Sequence, residues 1–187
     1  MKIPFIIGKR LYLRQILDED INENYLGWLN DPMVLEFRTR RIFPSTIADI
    51  EDFRKRQESS NTLHLAIVVR ENEQHIGNIT LGPINWYHRY AEIAILIGEK
   101  EKWGHGYGKE AVYLLSKHAF ENVNLHRVYA ASPNPAFMKI VRDLNWTKEG
   151  ELRDAFWHKD RYLPVEVYSI LSSEFRKNSE LEKAFCS

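Results

Sequence analysis

The chain holds a single cysteine, Cys186, in 187 residues. No internal disulfide framework can brace it, and a thiol beside the C-terminus is a poor candidate nucleophile. Charge of one sign is not in excess either: 26 lysines and arginines balance 26 aspartates and glutamates, so no overall field draws the chain to nucleic acid or a membrane surface. No apolar run approaches the roughly 20 residues that cross a bilayer. Met1–Gly8 carries one lysine and only a short apolar patch, too little for a secretory signal. His64, His88, His118 and His126 are too scattered to predict a metal site, and no repeat or low-complexity bias is present. These absences leave a soluble, cytoplasmic chain without metal, nucleic-acid or membrane partners as the expectation. Its length suits one domain, 1–187, with a core over about residues 9–171 and a polar tail, 172–187.

Glycine is scarce as well, and it is unevenly spent. Three of the nine glycines fall within five residues, Gly104, Gly106 and Gly108, in the stretch Trp103-Gly104-His105-Gly106-Tyr107-Gly108-Lys109-Glu110-Ala111. Alternate glycines weaken a helix or strand and permit positive φ. On the C-terminal side, Ala111, Leu114, Leu115 and Ala119 stand at helical spacing. On the N-terminal side, Tyr90 to Ile97 reads as a buried strand rich in β-branched residues. Strand, glycine loop and helix N-terminus together present amide N–H groups at the positive end of a helix dipole, an anion site suited to phosphate. A Walker loop is excluded, because Gly108-Lys109 is followed by Glu110 and Trp103 stands where the first glycine belongs; the dinucleotide pattern G-x-G-x-x-G is excluded by the spacing G-x-G-x-G. A tight turn without a ligand is the alternative, and three glycines exceed what one turn needs.

This segment resembles the pyrophosphate loop of the GCN5-related N-acetyltransferases, the GNAT superfamily, with Trp103 in the place of the usual Gln or Arg. The run Trp-Gly-x-Gly-Tyr-Gly-x-Glu-Ala is similar to that of the branch that acetylates N-termini of ribosomal proteins, and the likeness extends more loosely from Leu11 to Leu171. The resemblance implies a mixed α/β (α+β) fold, with a mostly antiparallel central sheet of about seven strands flanked by helices and splayed where acyl-CoA enters. It implies acetyl-CoA as co-substrate and no metal. The diphosphate falls to Trp103, Gly104, His105, Gly106, Tyr107, Gly108 and Lys109, the pantetheine arm to the main chain of Ile95, Leu96 and Ile97, and a further contact to Asn134. The tyrosine that often protonates the leaving thiolate is replaced by Val141, so Tyr129, Ser132 or water is left for that role, or no acid is needed.

From the N-terminus onward, the chain predicts a strand over Lys9–Ile16 and a helix capped by Asp18. Asn30-Asp31-Pro32 ends that helix. Phe37–Pro44 is a loop carrying Arg38, Arg40 and Arg41, and a second helix covers Thr46–Glu58, capped by Ser45. A hairpin spans Leu63–Leu81, and Trp86 lies in the connector to the key strand. A strand over His126–Ala131 precedes a helix begun by Pro135. Two last strands, Thr147–Leu152 and Val165–Leu171, are joined through an aromatic loop, Phe156-Trp157-His158.

The groups themselves dictate the chemistry. A free alkylammonium has a pKa of about 10.4, so a base must take a proton near neutral pH. Strand parity puts Ala91, Ile93, Ile95 and Ile97 on one face and Tyr90, Glu92, Ala94 and Leu96 on the other. Glu92 is thus a carboxylate among apolar neighbours, where burial would raise its pKa and make it a base. A structural ion pair with Arg14 or Arg127 is the alternative. Arg38, Arg40 and Trp86 are candidate acceptor-binding residues. The acceptor amine is either a protein N-terminus or a small amine; the amino group of a nucleotide-linked sugar, or a CoA-binding sensor without turnover, are the other readings. A homodimer is compatible with all of them.

Overall fold

The computed structural model describes residues 3–57, 61–177 and 179–186. Eight strands form one sheet in the order β1-β2-β3-β4-β5-β6-β8-β7: β1 Ile6–Ile7, β2 Leu11–Gln15, β3 Leu63–Val69, β4 His75–Leu81, β5 Tyr90–Ile97, β6 Arg127–Ser132, β7 Thr147–His158 and β8 Arg161–Leu171. The helices are α1 Glu23–Trp28, α2 Ile47–Gln57, α3 Tyr107–Glu121, α4 Pro135–Asp143, α5 Ser172–Phe175 and α6 Ser179–Phe185. The two-residue β1 is the strand that sequence periodicity misses, since it is too short to show alternation. Among the described residues no helix is long and apolar enough to cross a membrane.

One sheet face, with Leu11, Leu13, Ile67, Ile79, Ile93 and Val128, buries against α3 and α4. Ala111, Val112, Leu114, Leu115 and Ala119 of α3 are almost wholly removed from water, each large side chain contributing about 1.5–3 kcal/mol. The other face carries a smaller cluster, in which Tyr25, Trp28, Val34 and Ile50 pack with Leu96. Residues 172–177 and 179–186, within the expected polar tail, place apolar side chains on the core. Phe175 stacks on Tyr113, Leu181 and Phe185 pack on the core, and the Phe185 carbonyl accepts from the Lys9 amide.

Helix starts differ from expectation for local reasons. Asp20 is claimed by the buried Arg14, with two bonds of 2.6 and 2.8 Å, and by the Leu17 amide at 2.7 Å. Residues Asp18–Asp20 therefore form a 3-10 turn, and Asn22 rather than Asp18 caps α1 through the Tyr25 amide. Likewise Thr46, not Ser45, caps α2 by exchanging hydrogen bonds with Asp49, while Ser45 is buried and donates its amide to Asn30. The expected aromatic loop 156–158 is strand. Lys159 and Asp160 both adopt positive φ (44° and 65°), which closes a two-residue hairpin and lets β7 and β8 run to its tip.

The sheet opens between β5 and β6. These two are the parallel pair among otherwise antiparallel neighbours, and they pair only over Tyr90–Glu92 and Arg127–Tyr129. Residues 93–97 stay bonded to β4 while β6 diverges. Parallel neighbours end at the same edge, so α3, which comes after β5, and α4, which comes after β6, both begin at the open end of the gap.

Candidate active site

The glycine loop delivers the N-terminus of α3 to that gap. Gly106 caps the helix at φ +83° without a side-chain hydrogen bond, so the first-turn amides of Tyr107, Gly108 and Lys109 have no intrahelical acceptor. The three glycines serve different needs. Gly104 (φ +76°) and Gly106 need left-handed backbone, and a Cβ on Gly104 would meet nothing within 4 Å. Gly108 is a packing glycine: its Cβ would come within 3.1 Å of Ile140 Cδ1, where α3 crosses α4. Only the first two therefore serve the loop's shape directly. The His105 ring is exposed, and Lys109 Nζ lies 3.9 Å from Asp143.

A pair of residues whose contact the sequence does not reveal braces this loop. Glu110 is fully buried and accepts from the Arg10 amide (2.8 Å), Arg10 Nε (2.8 Å) and the Leu11 amide (3.3 Å). Arg10 Nη1 in turn donates to the His105 carbonyl at 2.8 Å, and its guanidinium covers the Tyr107 ring at 4.9 Å. Glu110 is visible in the motif; its partner a hundred residues away is not.

The open edge of β5 is the second part. Gly82 donates to the Glu92 carbonyl and Gly98 to that of Ile76, so even-numbered β5 residues bond to β4 while Ile93, Ile95 and Ile97 turn N–H and C=O toward the gap. Side chains already use two of these carbonyls: Trp103 Nε1 donates to Ile97 O at 2.8 Å, and Arg38 Nη2 donates to Ile95 O. Glu92 points to the opposite face from Ile93 and is half-buried. Burial raises its pKa, and a hydrogen bond from the Ala131 amide offsets part of that. Neither expected cation reaches it, since Arg14 pairs with Asp20 and Arg127 with Glu149. Its cross-strand neighbour in β6 is Tyr129, whose hydroxyl pKa is raised by burial and by the charge of Glu92.

Comparison with known proteins places this arrangement. Residues 10–146 match the family described as Acetyltransferase (GNAT) domain. The chain belongs to the GNAT family. It is 31% identical over 176 residues to the uncharacterized N-acetyltransferase p20 of Bacillus licheniformis, covering 89% of this chain and 96% of that protein. It is 27% identical to the spermidine N(1)-acetyltransferase of Vibrio cholerae over 90% of this chain and 92% of the other. The crystal structure of spermidine N-acetyltransferase from Vibrio cholerae in complex with CoA and spermine superposes with a TM-score of 0.80 at 22% identity, over 89% and 98% of the two chains.

As a GNAT enzyme, the chain transfers an acetyl group from acetyl-CoA to an amine. The remaining expected residues have varied surroundings. Asn134 is the N-cap of α4, its Oδ1 accepting from the Ala136 (2.9 Å) and Phe137 (3.4 Å) amides, so its carbonyl oxygen is spent on the helix. Val141 is wholly buried in the core. Ser132 Oγ accepts from the Asn134 amide at 3.1 Å, which ties it to the same turn. Trp86 is exposed at the N-terminal end of β5 and donates to Asn61 Oδ1 at 3.2 Å. The Arg40 and Arg41 side chains lie outside the described residues. Among the described residues no group of three or more metal-ligating side chains is assembled.

Proposed function

We propose that this GNAT enzyme works by direct attack of the acceptor amine, with Glu92 taking the proton from the amine and Tyr129 holding a proton for the leaving thiol. Acetyl-CoA supplies the activated acyl thioester. The observation that carries the reading is the half-open edge of β5: residues 93–97 expose main-chain groups toward the gap that begins beside Glu92 and Tyr129. Residues 103–109 hold the diphosphate, with helix amides and the Arg10–Glu110 brace keeping them in position. Ile95, Leu96 and Ile97 flank the pantetheine arm, the odd-numbered pair through the main chain. Desolvation makes Glu92 a stronger base than a solvated carboxylate, and Tyr129 takes the role that Val141 cannot fill.

The acceptor is either a protein N-terminus or a small amine. The spermidine enzyme of Vibrio cholerae is a relative whose name gives a small-amine substrate, and the amino group of a nucleotide-linked sugar is a second acceptor of that size. The test is thiol release from acetyl-CoA with a panel of amines. Glu92→Gln should lower kcat by about 100-fold or more while leaving the calorimetric affinity for CoA within twofold. Equal kcat in wild type and variant would remove Glu92 from the chemistry.

A further inference from the structure

Arg38 has a chemical requirement that the acetyl-transfer reading does not use. Its side chain enters the gap from the segment between α1 and α2, and Nη2 bonds to Ile95 O on the open edge of β5. Burial pulls its pKa below the ordinary arginine value, and among the described residues the opposing charge effect comes from the Tyr25 hydroxyl. Other arginines that leave full solvent find carboxylates: Arg14 pairs with Asp20, Arg54 with Asp18 and Arg127 with Glu149. Exposed arginines such as Arg70 and Arg89 bond to carbonyls instead, but water screens them. Arg38 is half-buried and, among the described residues, bonded to a neutral carbonyl alone. A cation drawn partly out of water without a counter-ion is left under-compensated.

The nearest acid in sequence does not supply one. Glu36 faces away, toward Lys159 Nζ at 2.6 Å and His158 Nε2 at 3.5 Å. Phe37 stacks on His158, with ring centroids 5.3 Å apart. These contacts fix both residues before Arg38 to the β7–β8 hairpin tip, so the guanidinium is presented from an anchored segment. One of its five N–H donors is used at Ile95, and a planar fork of this kind suits a carboxylate or phosphate. Ile95 is three residues from Glu92, or about 10 Å of strand. A small acceptor could set its amine toward Glu92 and an oxyanion at Arg38.

We infer that Arg38 is the oxyanion-binding residue of the acceptor site, and that the acceptor is a small amine bearing a carboxylate or phosphate rather than a polyamine. The inference rests on the proposed reaction and narrows its acceptor. It also separates this chain from the spermidine enzyme, since a fixed guanidinium in the gap disfavours a polycation.

Matched acceptors test it: glycine against glycinamide, and phosphoethanolamine against ethanolamine, with spermidine as the polycation. The anionic member of at least one pair should show a kcat/KM about 10- to 100-fold above its neutral partner, and the ratio should collapse in Arg38→Gln and recover in part in Arg38→Lys. Which pair shows the preference tells carboxylate from phosphate. A second readout needs no turnover: the Arg38 Nε–H resonance, assigned by its loss in Arg38→Lys, should shift on titration with an anionic amine and stay still with its neutral partner. A preference for neutral amines or spermidine that survives Arg38→Gln, or a resonance that ignores both anions, overturns the proposal. Failure of the reaction itself would appear differently, as no thiol release with any amine while the resonance still responds.

Discussion

Removing the Glu110 carboxylate perturbs the glycine loop without touching it. In Glu110→Ala the Arg10 and Leu11 amides lose their acceptor. Leu11 is wholly buried, so its amide cannot turn to water, and an orphaned buried amide costs about 1–3 kcal/mol. The Arg10 amide is nearer the surface and falls at the lower end of that range. The Arg10 side chain is 44% exposed, so its charge rehydrates and loss of the ion pair adds no more than about 1 kcal/mol. The total, about 2–5 kcal/mol, corresponds to a fall in Tm of roughly 4–20 °C for a chain of this size. Glu110→Gln keeps one acceptor but turns an amide NH2 toward a donor, and should cost about 1–2 kcal/mol. Both variants release Arg10 Nη1 from its fixed place under the His105 carbonyl, so affinity for CoA should also fall, by about fivefold for each 1 kcal/mol of lost positioning. Urea denaturation and calorimetric titration with CoA, on both variants, separate the two effects. An alanine variant within 1 kcal/mol of wild type would refute the account of Glu110 as a buried acceptor. A destabilised variant with unchanged CoA affinity would refute the claim that it braces the binding loop.

The glycines should separate by role in the same two assays. Gly104→Ala, at φ +76° with open space beyond its Cβ, should cost about 1–2 kcal/mol from backbone strain alone. Gly108→Val should lose more stability than that by pushing Ile140 and α4 away, and the reverse ranking would count against the packing reading. For pH, burial holds His75 below the ordinary histidine value despite the nearby Asp20 carboxylate. The unfolded chain takes a proton there near pH 6.5 while the folded chain does not. Stability is therefore lost as pH falls from about 6.5 through the folded value, and His75 adds no slope above that window. The thermal midpoint should decline between pH 7 and 5, and His75→Gln should flatten the decline; an unchanged slope in the variant would dismiss His75 as its source.

Residues 103–111 are readable because glycine at alternate positions is local information: positive φ at 104 and 106 and the start of α3 derive from it. The Glu92 face is readable too, because strand parity is local. Three things are not. Asp18 and Ser45 are good caps by residue type, but Arg14 and Asn30 reorganise those turns from outside them, and tertiary partners leave no mark on a short window. Lys159-Asp160 carries no Asn-Gly signature, so the hairpin tip passes for a loop. Arg10 cannot be paired with Glu110, since nothing in either neighbourhood points to the other. Asn134 resembles a ligand contact by motif, whereas its position directly before Pro135 is also the signature of an N-cap, which is how the fold uses its oxygen.

The parallel pairing of β5 with β6 also bears on the proposed division of donor and acceptor recognition between separate parts of the chain. Because the two strands run the same way, the helices after them start at one end of the gap, and their positive ends favour an anionic donor there. Ile93 points to the face covered by α3, whereas Glu92 and Leu96 point to the face where Trp28 and Val34 pack. Glu92 thus shares a face with the α1–α2 segment, not with the glycine loop. Arg38 and Trp103 approach the same edge from these two sources and take adjacent odd-numbered carbonyls, Ile95 and Ile97. On the proposed reaction, substitutions between α1 and α2 should alter amine preference while leaving the glycine loop, its cap and its brace unchanged, which steady-state rates on an amine panel beside calorimetric CoA affinity would check.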